Sequence, residues 1–401
     1  MFNLEELQEA IRAEGLGGWL FSNFHHRDRL SDAILGIEPQ TRNTRPWFYG
    51  VPRRGPPLRI VHGVEADALE GFPGGLISYI SREDLIPALR PLRKGRWGVH
   101  SSERIPGISY LDAGTAALLK RAGLKLVSAE GLVQRFRGLL TQQDMAGHER
   151  AAAGLYEIVE SAWSLVKAGY RRMKETGVSD LREGDIRDFM LTEMRRRSLT
   201  AGEAPIVAFG ANGGNPHYDF APGEGAYGGK GAKAREGDVV QFDLWAREEG
   251  PGSVFADISW VGVFAERPPP ETEKCFGDLI EVREGTYAYI EEEMGGRRRL
   301  TGAMVDRKAR KLLFARGYRE NIRHRTGHGI DRELHGSGVN MDSVEFPDFR
   351  EILSGSCFSL EPGIYFPGFG MRTEINVYIR EGVPVISGAP HKRQFFLLTC
   401  G

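Results

Sequence analysis

Residues 239–246 read VVQFDLWA, 253–264 read SVFADISWVGVF, 357–366 read CFSLEPGIYF and 371–379 read MRTEINVYI. Each run is apolar and rich in β-branched and aromatic residues, the composition of a strand packed into a core. Each also carries one carboxylate, respectively Asp243, Asp257, Glu361 and Glu374. Burying an unpaired carboxylate costs on the order of several kcal/mol, so four of them require positive partners. The runs contain no Lys and a single Arg, Arg372. Between the two acid pairs lies GHGIDRELHG at 327–336, with His328 and His335. This shortage of basic partners points to a metal site built from several carboxylates. Any one acid alone is equally compatible with a solvated strand face; the four together with His328 favour the metal site.

Asp243 and Asp257 are fourteen residues apart on runs joined by EEGPGS, and Glu361 and Glu374 are thirteen apart on runs joined by PGFG. Both arrangements read as β-hairpins. Helical patterns precede each: ERAAAGLYEIVESAWSLVKAGY and DIRDFMLTEMRRRS before the first, and roughly 271–293 and 301–316 before the second. The C-terminal part is therefore an α+β layout with pseudo-twofold internal symmetry, each helix-plus-hairpin half supplying two acids. TQQDMAGHE at 141–149 offers Thr141 and Asp144 as helix-starting residues. The expected domains are residues 1–140 and 141–401. The first alternates helix (LEELQEAIRAEG, REDLIPALRPL, LDAGTAALLKRAG) with strand (GGWLFSN, LRIVHGV, LISYIS, RWGVHS), an α/β pattern. A chain of 401 residues suits two such cores.

Lys and Arg number 53 against 54 Asp and Glu, a net charge of −1 that gives no field for nucleic acid or an anionic membrane. Cys275, Cys357 and Cys400 fit no zinc or redox spacing, so reduced thiols are expected. The N-terminus lacks the basic start and apolar stretch of a signal peptide, and no segment is long enough to span a bilayer; the expected location is the cytoplasm. The Gly-rich stretch 209–229 lacks the Lys-Ser/Thr of a phosphate loop and reads as backbone turning around a cleft. His25 and His26 are adjacent, so on a strand they cannot point to one site.

Taken as ligands, Asp243, Asp257, His328, Glu361 and Glu374 form an oxygen-rich set with one imidazole. Such a set favours harder divalent cations, Mn²⁺ above all, although Co²⁺, Fe²⁺ or Zn²⁺ would also fit. Four negative charges exceed the need of one ion. Two ions about 3.5–4 Å apart would use all five ligands and would suit hydrolysis.

The ordered series NPHY (His217), QFD (Asp243), FAD (Asp257), HRTGHGI (His328), LH (His335), LEPGIY (Glu361, Tyr365) and MRTE (Arg372, Glu374) resembles the creatinase/methionine-aminopeptidase superfamily of metallopeptidases, with the pita-bread fold. The N-terminal α/β domain extends the resemblance to its Xaa-Pro dipeptidase (prolidase) and Xaa-Pro aminopeptidase branch. The resemblance implies that Asp243, Asp257, His328, Glu361 and Glu374 hold two divalent ions, with Asp257 and Glu374 as bridges. It implies Glu361 as general base and proton donor to the leaving proline nitrogen, and His217 and His335 as stabilisers of the scissile carbonyl. It places Arg372 and Tyr365 as supports of the acids or proton shuttles. It implies a small Xaa-Pro peptide as substrate, and a homodimer in which one subunit's N-terminal domain helps wall the other's cleft.

The series departs from the family pattern at Trp245, where a Gly is usual, at Ser259-Trp260 for Thr-Arg, at Val254 for Tyr and at Gly336 for Glu. None is a metal ligand. The favoured activity is hydrolysis of the bond before proline by an Xaa-Pro dipeptidase. The alternatives are an Xaa-Pro aminopeptidase acting on longer peptides, a non-catalytic binding module, and a metal-free C–N hydrolase of the same fold.

Overall fold

The computed structural model describes residues 3–220, 229–388 and 396–401. Part of the Gly-rich stretch, 221–228, lies outside the described residues. The chain divides into two units, Met1–Arg137 and Gly138–Gly401, where the sequence reading put the division after residue 140.

The first unit has six strands: β1 (Gly18–Asn23), β2 (Trp47–Pro52), β3 (Leu58–His62), β4 (Gly75–Tyr79), β5 (Arg96–Val99) and β6 (Lys125–Ser128). Its helices are α1 (Leu4–Ala13), α2 (Arg29–Leu35), α3 (Arg82–Leu89), α4 (Ala113–Arg121) and α5 (Glu130–Arg137). The sheet order is β4-β3-β2-β1-β5-β6, with β1, β5 and β6 mutually parallel and β2 antiparallel to both its neighbours. Strand alternation explains its two cores. Trp19 and Phe21 of β1 pack with Leu7, Ile11 and Leu132 on one face; Leu20 packs with Leu85, Leu89 and Leu119 on the other. Strands β2 and β6 were not among those read from the sequence.

The second unit begins with α6 (Gln142–Thr176) and α7 (Glu183–Arg196), followed by β7 (Leu199–Thr200), β8 (Ile206–Phe209), β9 (Val239–Glu248) and β10 (Ala256–Val263). Next come α8 (Pro270–Gly295) and α9 (Gly302–Ala315), then β11 (Cys357–Leu360), β12 (Gly363–Tyr365), β13 (Gly370–Arg372), β14 (Ile375–Arg380) and β15 (Val383–Ile386). Each half is thus a helix pair followed by antiparallel strands. The halves join where Ser259 bridges to Glu374. Thr141 and Asp144 form a capping box at the start of α6, and Gly177 ends it in the left-handed conformation. The α6 stripe Ala151, Leu155, Ile158, Ala162 and Val166 packs with Phe242 and Leu244 of β9 and Ile258 and Trp260 of β10. Gly262 is required there, because a Cβ would lie 2.3 Å from the Trp163 ring.

Asp243 and Asp257 lie on the β9–β10 hairpin, with Asp243 opposite Ser259. The second hairpin differs from expectation. Glu361 and Glu374 lie in short breaks between strands, Glu361-Pro362 between β11 and β12, and Thr373-Glu374 between β13 and β14. Pro362 has no N–H to give to a ladder, which accounts for the first break. The outer strands pair as β11–β14, and β12–β13 form the tip around PGFG. Among the described residues no helix is long and apolar enough to cross a membrane, and the three cysteines are free and buried.

Candidate metal centre

Asp257, His328 and Glu374 each offer one ligand atom within 4.8 Å of the others, and all three residues are buried. Their positions follow from local structure. Asp257 is fixed from behind by Asn376 of β14: its N–H donates to Asn376 Oδ1 at 2.7 Å, and its carbonyl accepts from Asn376 Nδ2 at 2.6 Å. His328 lies beside β11, where its N–H donates to Ser359 Oγ at 3.0 Å and its carbonyl accepts from the Ser359 N–H at 2.9 Å. Gly327 permits this approach, since a Cβ there would meet the Ser359 carbonyl at 2.0 Å. His328 Nε2 is 3.4 Å from Asp257 Oδ2 and 3.6 Å from Glu361 Oε1.

Asp243 joins the group through Ser259 and Arg372. The Ser259 hydroxyl lies 2.9 Å from both Asp243 Oδ1 and Glu374 Oε2, and accepts from Arg372 Nε at 3.0 Å. Arg372 Nη2 pairs with Asp243 Oδ2. Arg372 Nη1 donates to the Tyr365 hydroxyl at 3.2 Å and to the Pro216 carbonyl at 3.5 Å. Tyr365 in turn meets His324 Nε2 at 2.7 Å. The His335 ring stands edge-on to His328 at 4.3 Å between centroids. His217 is exposed on the loop after β8, and its charge acts on His335. Asp243, Asp257, His328, Glu361, Glu374, Arg372, Tyr365 and His335 are thus linked around one centre, with His217 at its margin.

The charges do not balance within the chain. Burial, and then Asp243 and Glu361, push the Asp257 carboxyl well above its ordinary range; burial, then Asp257 and Glu361, do the same to Glu374. Burial is the largest influence on Arg372 and would lower it, but Asp243, Tyr365, Glu361 and Glu374 together outweigh it and raise the guanidinium above its ordinary range. The charge of His328, then burial, lowers His335 to about 3, and burial lowers His324 to about 4 and raises Tyr365 to about 12. Among the described residues, Asp257 Oδ1 and Glu374 Oε1 are buried with no hydrogen-bond partner. Two partnerless carboxylate oxygens beside the His328 imidazole fit a divalent cation, which would replace the protons that otherwise neutralise these acids.

Two contributors escaped the sequence reading, and a third, Ser259, entered it only as a departure from the family pattern. Ser259 ties Asp243 to Glu374, His324 holds Tyr365, and Asn376 fixes the Asp257 backbone. The Ser and Asn have no signal of their own in a strand, whereas His324 stood within the HRTGHGI motif. Two departures also take on meaning. Trp260 faces away from the acids, packing edge-on to Tyr156 at 5.8 Å and donating its Nε1–H to the Phe396 carbonyl at 3.2 Å. Gly336 is occupied territory: a Cβ there would lie 2.6 Å from Asp331 Cγ, whose carboxylate accepts from the N–H groups of Glu333 and Ser337.

Residues 147–381 match the model of metallopeptidase family M24. The chain is 34% identical over 176 residues to an Xaa-Pro dipeptidase of Lactobacillus delbrueckii subsp. lactis, covering 42% of this chain and 40% of that one. It is 30% identical over 189 residues to a probable dipeptidase PepE of Mycobacterium bovis, covering 47% and 44% respectively. The match thus spans less than half the length of these curated relatives. In fold, it resembles the crystal structure of dipeptidase PepE from Mycobacterium ulcerans, with a TM-score of 0.69 at 19% identity, covering 99% of this chain and 96% of that one. The architecture is the pita-bread fold preceded by an α/β domain, and the chain belongs to metallopeptidase family M24.

Proposed function

We propose that this protein hydrolyses the peptide bond before proline in small peptides, as an Xaa-Pro dipeptidase dependent on two divalent ions, Mn²⁺ being the first choice. The observation that carries this reading is the pair of buried, partnerless oxygens, Asp257 Oδ1 and Glu374 Oε1, on two acids that cluster with His328. Asp243, Asp257, His328, Glu361 and Glu374 would hold the ions. Such ions lower the pKa of a water and polarise a carbonyl.

The chain's own groups divide the remaining work. Glu361 is the general base and later the donor to the proline nitrogen: 13% of its side chain is exposed against 7% for Asp257, so it is the acid better placed to exchange a proton at the cleft. The Ser359 hydroxyl at 3.2 Å from Oε1 orients it. His335, held neutral by its neighbours, and His217 donate to the carbonyl oxygen as it gains charge. Arg372 pairs with Asp243 and steadies Tyr365. Proline's nitrogen carries no hydrogen and sits in a ring, which is why a dedicated cleft is required. The names of the two sequence relatives favour dipeptides over longer peptides. A homodimer in the cytoplasm is the proposed working form.

Turnover of Leu-Pro and of a Leu-Pro-Xaa tripeptide, each with Mn²⁺, Co²⁺ and Zn²⁺, tests the proposal. Faster cleavage of the dipeptide with a metal is expected. Preference for the tripeptide transfers the assignment to an aminopeptidase, and inertness toward both refutes it.

A further inference from the structure

A single carboxylate closes the loop that carries His217. Glu183, at the start of α7, is 0% exposed. Its Oε1 accepts from the Phe209 N–H and from Asn212 Nδ2, each at 2.8 Å. Its Oε2 accepts from the Tyr218 hydroxyl at 2.8 Å and the Ala232 N–H at 2.6 Å. These donors come from the beginning, the middle and the end of segment 209–232. Ala232 can approach because residue 231 is glycine: a Cβ there would lie 2.3 Å from Glu183 Oε2, and its φ is +69°.

The clasp reaches the proposed cleft through one residue. Tyr218, held by Glu183 and by Asn212 Nδ2 at 2.9 Å, immediately follows His217. Pro216, which precedes His217, presents its carbonyl to Arg372 Nη1 at 3.5 Å, and the His217 N–H donates to Asn215 Oδ1 at 3.1 Å. His217 is therefore strung between one anchor on Glu183 and another on Arg372. A carboxylate suits the first anchor because it offers acceptors on both oxygens; a glutamine would turn donors toward two of the four groups.

We infer that Glu183 is a positioning residue for the proposed peptidase reaction, acting through the Tyr218 hydroxyl to set the His217 imidazole at the cleft. The inference rests on the function proposed above for its kinetic consequence. It does not rest on that function for its structural one.

Tyr218→Phe removes one hydroxyl and leaves every backbone donor in place, so it is the primary test. Misplacing a group by about 1 Å can cost about 100-fold in rate. The expected result is a fall in kcat of about 10- to 100-fold that disappears in the His217→Ala background, because the hydroxyl acts only through that imidazole. Glu183→Gln is expected to show the same dependence on His217. An unchanged kcat in Tyr218→Phe, or an equal loss with and without His217, overturns the inference. Hydrogen exchange across 209–220 supplies a readout independent of turnover. Faster exchange in Tyr218→Phe is expected and unchanged exchange overturns the inference, even if the parent proves inert toward prolyl peptides and the proposed function falls alone.

Discussion

Arg372→Met asks whether the buried charges are balanced as the structure indicates. Arg372 is 7% exposed and is the one basic residue within the four acid-bearing runs. Methionine retains most of the stem volume but removes the pairing with Asp243 and the bonds to Ser259 and Tyr365 at 3.0 and 3.2 Å. Removing one partner of a buried ion pair costs about 3–5 kcal/mol. At about 2–4 °C per kcal/mol for a unit of this size, the metal-free variant should melt about 6–20 °C below the parent. A divalent ion at about 100 times its Kd returns about 2.7 kcal/mol. Because the ion then supplies the counter-charge that Arg372 gave Asp243, Mn²⁺ should narrow the gap between variant and parent. The assay is thermal melting after chelation, repeated with graded Mn²⁺. A metal-free variant melting with the parent, or a gap indifferent to Mn²⁺, would refute the reasoning.

Two further perturbations probe other parts of the account. Burial raises the Glu65 pKa, but the Thr44 hydroxyl and the N–H groups of Thr44 and Arg45 lower it further, for a net value below the ordinary 4.5. Its contribution is therefore complete above that value and is lost as pH falls through the folded pKa. Glu65→Gln should melt lower than the parent near neutrality and lose less on acidification; parallel pH profiles would contradict this. Gly336→Ala would force a Cβ against the Asp331 carboxylate at 2.6–2.7 Å, costing about 1–3 kcal/mol and disturbing His335 next to it. Its melting and turnover should both fall, and a variant matching the parent in both would show that the loop yields freely.

The parts of this molecule that were legible in the sequence are those encoded by contiguous pattern. VVQFDLWA and SVFADISWVGVF announced their own hairpin, and Thr141 with Asp144 announced the start of α6, because periodicity and capping act over a few residues. The metal-ligand candidates were legible because an acid in an apolar run conflicts with its surroundings. What remained hidden depends on contacts remote in sequence. Strand β2 is a continuous apolar run, WFYGVP, that shows no alternation because the sheet is covered on both faces. The breaks at Glu361 and Glu374 follow from how β11 to β14 pair, and Ser259, Asn376 and Glu183 show their use only once strands or loops are brought beside them. Arg372 was visible, but its role as counter-charge to Asp243, 129 residues away, was not.

The central claim is that the four acids and His328 are a divalent-cation site in which the ion displaces protons from Asp257 and Glu374, the two carboxyls pushed well up by burial and their acidic neighbours. Calorimetric titration of the chelated protein with Mn²⁺ near neutral pH, in buffers of different ionisation enthalpy, measures binding and proton release together. The account predicts saturable binding accompanied by proton release, both lost in Asp257→Asn and Glu374→Gln. Absence of saturable binding, or binding without proton release that survives those substitutions, would contradict it.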